Sequence, residues 1–291
     1  MATELTRRVA VAGVGIPIAI VIIYLGGWAL AALIALIAAL GAGELFNLAE
    51  KKQVQPMRSG GALAAAAIVL IAGRFEPGIA ADWLWGTAIA LLILFAGAAI
   101  WLRGVEGHPL ASAALTAFGA LFVGGTLSYA LWLRALTATG GTVDWSDAWR
   151  GTAVLAFPLA VTWINDTFAY FGGRAFGRHK LIPKVSPGKT IEGSIAGAIG
   201  GVLVALLYGA PVLGERLGFG GTLLHWGMAG LGIAALAQIG DLAESLFKRE
   251  AGVKDSGTLL PGHGGVLDRF DALFFTLPAA YAFLLLVQRI G

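Results

Sequence analysis

The sequence contains no cysteine. Disulfides, thiolate metal sites and cysteine nucleophiles are therefore excluded. Charge is scarce as well. Asp, Glu, Lys and Arg make up 13% of the 291 residues, about half the share usual in a soluble domain. So few charges cannot cover a water-soluble globule. The net charge is only +3, too small to imply a nucleic-acid partner. Soluble enzymes, nucleic-acid binders and secreted modules fall away on these grounds.

Apolar residues are abundant. They make up 58% of the chain, with 43 glycines besides, and the mean hydropathy is +0.81. Several apolar runs exceed the roughly 18 residues that mark a membrane span. Nine spans are predicted, at 9–25, 27–46, 60–74, 83–102, 111–134, 151–171, 191–213, 222–247 and 270–289. In lipid the backbone groups have no outside partner, so each span must be a helix. The expected fold is all-α, a polytopic membrane helical bundle of about nine transmembrane helices. Two regions are expected: 1–150 with about five helices, and 151–291 with about four helices and the cytoplasmic loops. The first apolar run follows Arg7-Arg8 but ends in no A-x-A-like site, so it reads as a span and not as a cleaved leader. Gly193, Gly197 and Gly201 recur every four residues, which predicts close approach of a neighbouring helix.

Basic residues alternate across the spans. The N-terminus and the loops 47–59, 103–110, 172–190 and 248–269 carry 15 of the 20 Lys and Arg. This bias places the N-terminus in the cytoplasm and the C-terminus outside. Six acids lie within the spans: Glu44, Asp166, Glu192, Asp241, Glu244 and Asp271. Asp268 sits just before the last span. Charges in a membrane span are costly and point to function. In this orientation all seven acids fall toward the cytoplasmic ends of their helices and none near a span centre. That pattern predicts a site at the cytoplasmic face of an inner or plasma membrane.

Three segments carry the chemistry. In the first, Asp268 and Asp271 share a face at the start of the last helix. Asp241 and Ser245 share a face, with Lys248 or Arg249, near the end of the preceding helix. The connecting loop is rich in glycine. Three carboxylates at a water-exposed mouth suit a hard divalent cation, Mg2+ above all; the alternative is salt bridging to Lys248, Arg249 or Arg269. Glu244 has Lys248 at i+4 as a partner. In the second segment, Ser186-Pro-Gly-Lys-Thr-Ile-Glu-Gly193, Ser186 reads as an N-cap and Pro187 as the first helical residue. Helix amides with Lys189 and Thr190 would then cradle phosphate. It is not a P-loop: Pro183 stands where that motif needs glycine, and the pattern predicts no preceding strand. In the third, Asp166, Tyr170 and Arg174 fall on one helical face above a basic loop. His179 and His263 are possible bases or phosphate donors, although a lone loop histidine is more often neither.

The stretch Ser245–Asp271 resembles the signature of the phosphatidate cytidylyltransferases, S-x-x-K-R-x4-K-D-x-G-x2-L-P-G-H-G-G-x-x-D-R-x-D, without departure. Ser186–Gly193 and Asp166–Gly177 are similar to further elements of that family. The motifs cover about residues 160–275. The resemblance implies an enzyme that makes CDP-diacylglycerol and pyrophosphate from CTP and phosphatidic acid in phospholipid biosynthesis. It implies Asp241, Asp268 and Asp271 as metal-site acids. Lys248 and Arg249 would serve the reaction, and Lys254, His263 and Arg269 would face phosphate. Ser186, Lys189, Thr190, Asp166 and Arg174 are the other expected substrate contacts. The expected cofactor is Mg2+, alone or with a second monovalent or divalent cation. The expected partners are CTP, phosphatidic acid, membrane lipid and, by resemblance, a second copy of the chain. A CDP-alcohol phosphotransferase would need an Asp-Gly-x-x-Ala-Arg element, which is absent. A transporter would want charges at the midplane and related halves.

Overall fold

The computed structural model describes residues 2–74, 77–136, 147–257 and 264–290. Among them the predicted spans become nine helical rods. These are α1 (Ala2–Leu25), α2 (Gly27–Glu50), α3 (Arg58–Arg74) and α4 (Pro77–Leu102), α5 (Pro109–Ala135), α6 (Ala148–Phe176), α7 (Ile191–Arg216), α8 (Leu223–Glu250) and α9 (Leu267–Ile290). Seven helices among the described residues are long and apolar enough to cross a membrane. The chain is thus an integral membrane protein of the all-α class, built from these helices. The helices run a few residues past the apolar runs, because a helix supplies its own hydrogen bonds in water as well as in lipid.

One short β-hairpin interrupts this pattern. β1 (Lys180–Ile182) pairs antiparallel with β2 (Ser186–Thr190), Lys180 opposite Thr190 and Ile182 opposite Ser186. The sequence pattern predicts no strand here and a helix capped by Ser186 that starts at Pro187. Instead the helix begins at Ile191, and the cap is Thr190, whose Oγ1 accepts from the Gly193 amide at 3.1 Å. Strand pairing takes Ser186 and Pro187 into extended backbone, and Thr190 is the last non-helical residue able to bond the third helical amide.

The described chain divides into two units, Met1–Trp132 with Phe247–Phe270, and Leu133–Leu246 with Asp271–Gly291. In the first unit the fully buried Phe46 ring fills the space beside Gly61 and Gly119, where an added methyl would overlap it. α5 contains a π-helical stretch, Ala120–Gly125. Its loosened carbonyls are taken up by side chains: Ser128 Oγ donates to Gly124 O at 2.7 Å, and Thr126 Oγ1 to Phe122 O at 2.5 Å. Ser and Thr satisfy freed backbone groups in lipid in this way.

In the second unit the glycine stripe of α7 does what its spacing predicts. A Cβ on Gly193 would stand 2.7 Å from Ala169 O of α6, and one on Gly201 would stand 2.6 Å from Ala234 Cβ of α8. At Gly197 it would stand 2.6 Å from Asn165 Oδ1. The stripe therefore draws α6 and α8 onto α7 at backbone distance. That close packing sets Asn165, Asp166 and Asp241 around one opening.

Candidate active site

The second unit holds a cleft of about 690 Å³. Asn165, Asp166, Tyr170, Gly173 and Arg174 of α6 form one wall. Ser186, Gly188, Lys189 and Thr190 of β2 form another, and Gly193 and Ser194 open α7 beneath them. Gln238 and Asp241 of α8 complete the lining. Segments far apart in the sequence thus converge on one space. Six of the expected site residues, Asp166, Arg174, Ser186, Lys189, Thr190 and Asp241, meet there.

Each side chain is held by its element. Asp166, Tyr170 and Arg174 lie one helical turn apart on α6, and Arg174 Nη1 donates to the Tyr170 hydroxyl at 3.3 Å. Lys189 reaches from β2 to Asp241, with Nζ 2.7 Å from Oδ2. Ser245, one turn further along α8, donates to the other oxygen, Oδ1, at 3.3 Å. The two carboxylates of Asp166 and Asp241 are close enough to repel each other, and Lys189 is close enough to attract both.

Beneath the carboxylates lies an amide relay that the sequence reading missed. Gln238 Nε2 donates to Asn165 Oδ1 at 2.9 Å and to Ser194 O at 3.0 Å. Asn165 Nδ2 then donates to Asp166 Oδ1 at 3.0 Å. Asn165 is fully buried. A buried amide must find partners for both ends, and here those partners fix the direction of Asp166. The signal in the sequence was Gln238, a polar residue inside an apolar helix three residues before Asp241.

His179 does not line the cleft. Its ring Nδ1 is 2.6 Å from Glu192 Oε1, and Glu192 also accepts from the Arg178 and His179 amides. This pairing ties the entry of the hairpin to the start of α7. His263 lies outside the described residues.

The remaining signature residues divide between the two units. In the second unit, Asp271 Oδ1 accepts from the Ala272 amide at 2.7 Å. Its backbone carbonyl lies against Gly240, where a Cβ would stand 2.7 Å away. The start of α9 thereby touches α8 one residue before Asp241. In the first unit, Asp268 is densely bonded. Oδ1 meets Lys248 Nζ at 2.6 Å, and Oδ2 accepts from the Ser256 amide, the Ser256 hydroxyl and the Gly265 amide at 2.9, 3.0 and 2.8 Å. Arg249 Nη1 donates to Val253 O at 3.4 Å. Lys254 and Arg269 are exposed.

Among the described residues no three His, Asp or Glu side chains form a ready-made metal site. Two carboxylates facing one cleft are a smaller donor set. It matches the habit of Mg2+, which takes one or two carboxylates and completes its shell with waters and substrate phosphates. A polyphosphate entering beside Asp166 and Asp241 would be repelled unless a cation stood between them. The donor set therefore fits a divalent ion. Of the acids expected to hold one, Asp241 lines the cleft, together with Asp166. Asp268 is already held by Lys248 and the Ser256–Gly265 loop.

A model of the cytidylyltransferase family matches residues 6–287. The chain is 32% identical to a phosphatidate cytidylyltransferase of Synechocystis sp., over 97% of each protein. It is 40% identical to one of Haemophilus influenzae over 68% of this chain and 64% of that protein. A third, of Brucella abortus, is 48% identical over 46% of this chain and 47% of its own length.

Proposed function

The chain belongs to the cytidylyltransferase family, and on that premise we propose that it transfers the cytidylyl group of CTP to phosphatidic acid. The products are CDP-diacylglycerol, which stays in the membrane, and pyrophosphate. The observation that carries this reading is the cleft itself, where two carboxylates, two cations and four hydroxyl side chains converge from separate segments.

The reaction joins two phosphates. An oxygen of the lipid phosphate attacks the α-phosphorus of CTP, a P–O bond forms, and the bond to the β-phosphate oxygen breaks. A phosphomonoester is already ionised at neutral pH, so the nucleophile needs no serine, cysteine or histidine base. Catalysis then rests on positioning and charge neutralisation. Lys189 and Arg174 supply positive charge toward phosphate oxygens. Ser186 and Thr190 supply hydroxyls; Thr190 Oγ1 accepts from the helix and keeps its proton to donate. The Gln238–Asn165 relay holds Asp166, and Ser245 holds Asp241. Mg2+ is the cofactor proposed, with Asp241 and Asp166 as its cleft-side carboxylates; when bound it would neutralise charge that builds on the phosphates. Asp271, beside them at the head of α9, is the further acid that the signature contributes to this unit. Asp268 and Lys248 act on this reading as the paired anchor of the signature loop. A second cation, monovalent or divalent, belongs to the same proposal.

The cleft opens to the cytoplasm on this reading, supported by the side on which 15 of the 20 Lys and Arg fall. Soluble CTP and membrane-bound phosphatidic acid can both reach such a boundary. A homodimer is the assembly proposed, supported by the family resemblance and tested by mass measurement in detergent. The enzyme reading is tested by supplying purified protein with CTP, phosphatidic acid and Mg2+ and following pyrophosphate and the lipid product. Product should form only when all three are present. Turnover of a CDP-alcohol substrate without use of CTP would overturn the reading.

A further inference from the structure

Glu44 lies on α2 in the first unit, 212 residues from its partner Ser256, and is 7% exposed. A carboxylate so deeply buried must be paid for by hydrogen bonds. The hydrogen-bond donors to its two oxygens come from the signature loop. Oε1 accepts from the Val266 amide at 2.9 Å. Oε2 accepts from the Leu267 amide at 2.8 Å and from the Ser256 hydroxyl at 2.9 Å. Gly257 and Gly265 close on it from both ends of the loop. A Cβ on Gly257 would stand 2.6 Å from Oε1, and one on Gly265 would overlap Oε2 and Ser256 Oγ.

The Ser256 hydroxyl also lies 3.0 Å from Asp268 Oδ2. It has one proton, so it can donate fully to only one of the two carboxylates at a time. The backbone amides are divided between the acids: Val266 and Leu267 to Glu44, Ser256 and Gly265 to Asp268. Lys248 adds the compensating charge at Asp268 Oδ1. Glu44, Ser256 and Asp268 therefore form one network whose geometry sets the direction of Lys248.

We propose that Glu44 is a positioning residue of the transferase, acting through Ser256 and the loop backbone to hold the Asp268–Lys248 pair in place. The inference rests on the transferase reading. Its own claim is that an acid of the amino-terminal helices organises the signature from beneath. A carboxylate is required because every group facing it is a donor. An amide in its place would turn a donor toward the Val266 amide, or toward the Leu267 amide and the Ser256 hydroxyl.

The test uses the full chain in detergent with E44Q, E44D and S256A. Two readouts are taken: steady-state kinetics with CTP and phosphatidic acid, and hydrogen exchange of the peptides covering 254–270. E44Q is expected to lower kcat at least tenfold, with KM for CTP within threefold, and to speed exchange in that segment alone. E44D, which keeps the charge, is expected to recover part of both losses. S256A removes a single donor and should show a smaller change in the same direction. It also keeps the test decisive if E44Q does not fold. Normal kcat in folded E44Q, or in S256A where E44Q does not fold, overturns the proposal. So does a kcat loss with unchanged exchange over 254–270, because the effect would then not pass through the loop. Failure of the transferase reading is separate: the wild-type protein would lack cytidylyl transfer while the exchange difference remained.

Discussion

Lys189 of β2 and Asp241 of α8 form an ion pair of 2.7 Å between two walls of the cleft. The side chains are 24% and 36% exposed as a whole, although the Lys189 Nζ atom itself is shielded. Pairs at that exposure contribute about 1 kcal/mol or less to stability. The pair is therefore poorly explained as a structural brace, and well explained as two site residues that compensate each other until a polyphosphate enters. Asp241→Asn and Lys189→Met should leave thermal stability nearly unchanged yet impair different steps. Lys189→Met should raise KM for CTP on the order of tenfold, the scale of one lost charged contact. Asp241→Asn should lower kcat about 100-fold, as loss of a strong electrostatic stabiliser does. Kinetics on monodisperse variants separate the two effects. Unaltered turnover in Asp241→Asn would remove that residue from the metal site.

The relay beneath Asp166 gives a second expectation. Gln238→Ala would leave Asn165 Oδ1 and the Ser194 carbonyl without the donor they share. A buried group left unsatisfied costs about 1–3 kcal/mol. Asn165 would then lose its fixed orientation, and with it the direction of Asp166. A stability loss in that range is expected, with a fall in kcat on the order of tenfold. Gln238→Glu is expected to be worse, because it places another negative charge beside Asp166. Thermal unfolding and single-turnover rates check both variants.

The hairpin and helix start are tested by a pair of caps. Thr190→Ala should cost about 1 kcal/mol, the usual loss when a capping hydroxyl is removed. Thr190→Ser should restore most of it. Ser186→Ala, at the position the sequence marked as the cap, should not change stability, because Ser186 lies in the strand. Melting temperatures of the three variants decide between the two helix starts.

These comparisons show which features could be read from sequence. The spans were legible because lipid permits only helices, so apolar length alone identifies them. The glycine stripe on α7 and the Asp166–Tyr170–Arg174 face were legible because helical spacing is local. The Ser186 error has the same origin. Ser-Pro is a strong local helix-start signal, but pairing with Lys180–Ile182 is a contact that local signals do not encode. The relay joins residues 73 apart, and the Glu44 bonds to the loop span more than two hundred residues. Glu44 could be recognised as an acid in a span, but its partners could not be named.

Removal of divalent ions gives a direct test of the cofactor. Asp166 and Asp241 line the same cleft as Lys189 and Arg174. If a divalent ion offsets their repulsion of CTP, metal-stripped protein should bind CTP weakly and form no product, and Mg2+ should restore both. The Asp166→Asn, Asp241→Asn double variant should bind CTP without metal more tightly than the wild type does, since the repelling charges are gone, yet remain inactive. Calorimetric titration with CTP in EDTA measures this. Equal metal-free affinity in both proteins would show that the carboxylates do not face the nucleotide.

Asp268 should behave differently from Asp241 although both are acids expected to hold the metal. Its side chain is 8% exposed and that of its partner Lys248 14%. One oxygen accepts from the Ser256 amide, its hydroxyl and the Gly265 amide, so Asp268 organises the loop as well as pairing with Lys248. Removing one member of a buried pair leaves the other charge uncompensated and typically costs about 3–5 kcal/mol. Asp268→Asn should therefore lose both stability and turnover, where Asp241→Asn loses turnover alone. Lys248→Met should also destabilise, because it leaves the Asp268 carboxylate without its cation. The double variant, with neither charge, should be more stable than the sum of the two single losses predicts, yet still inactive. A double-mutant cycle on thermal or denaturant unfolding measures that coupling. Stability near wild type in Asp268→Asn, with turnover lost, would instead mark Asp268 as a purely catalytic acid and remove its role as the loop anchor.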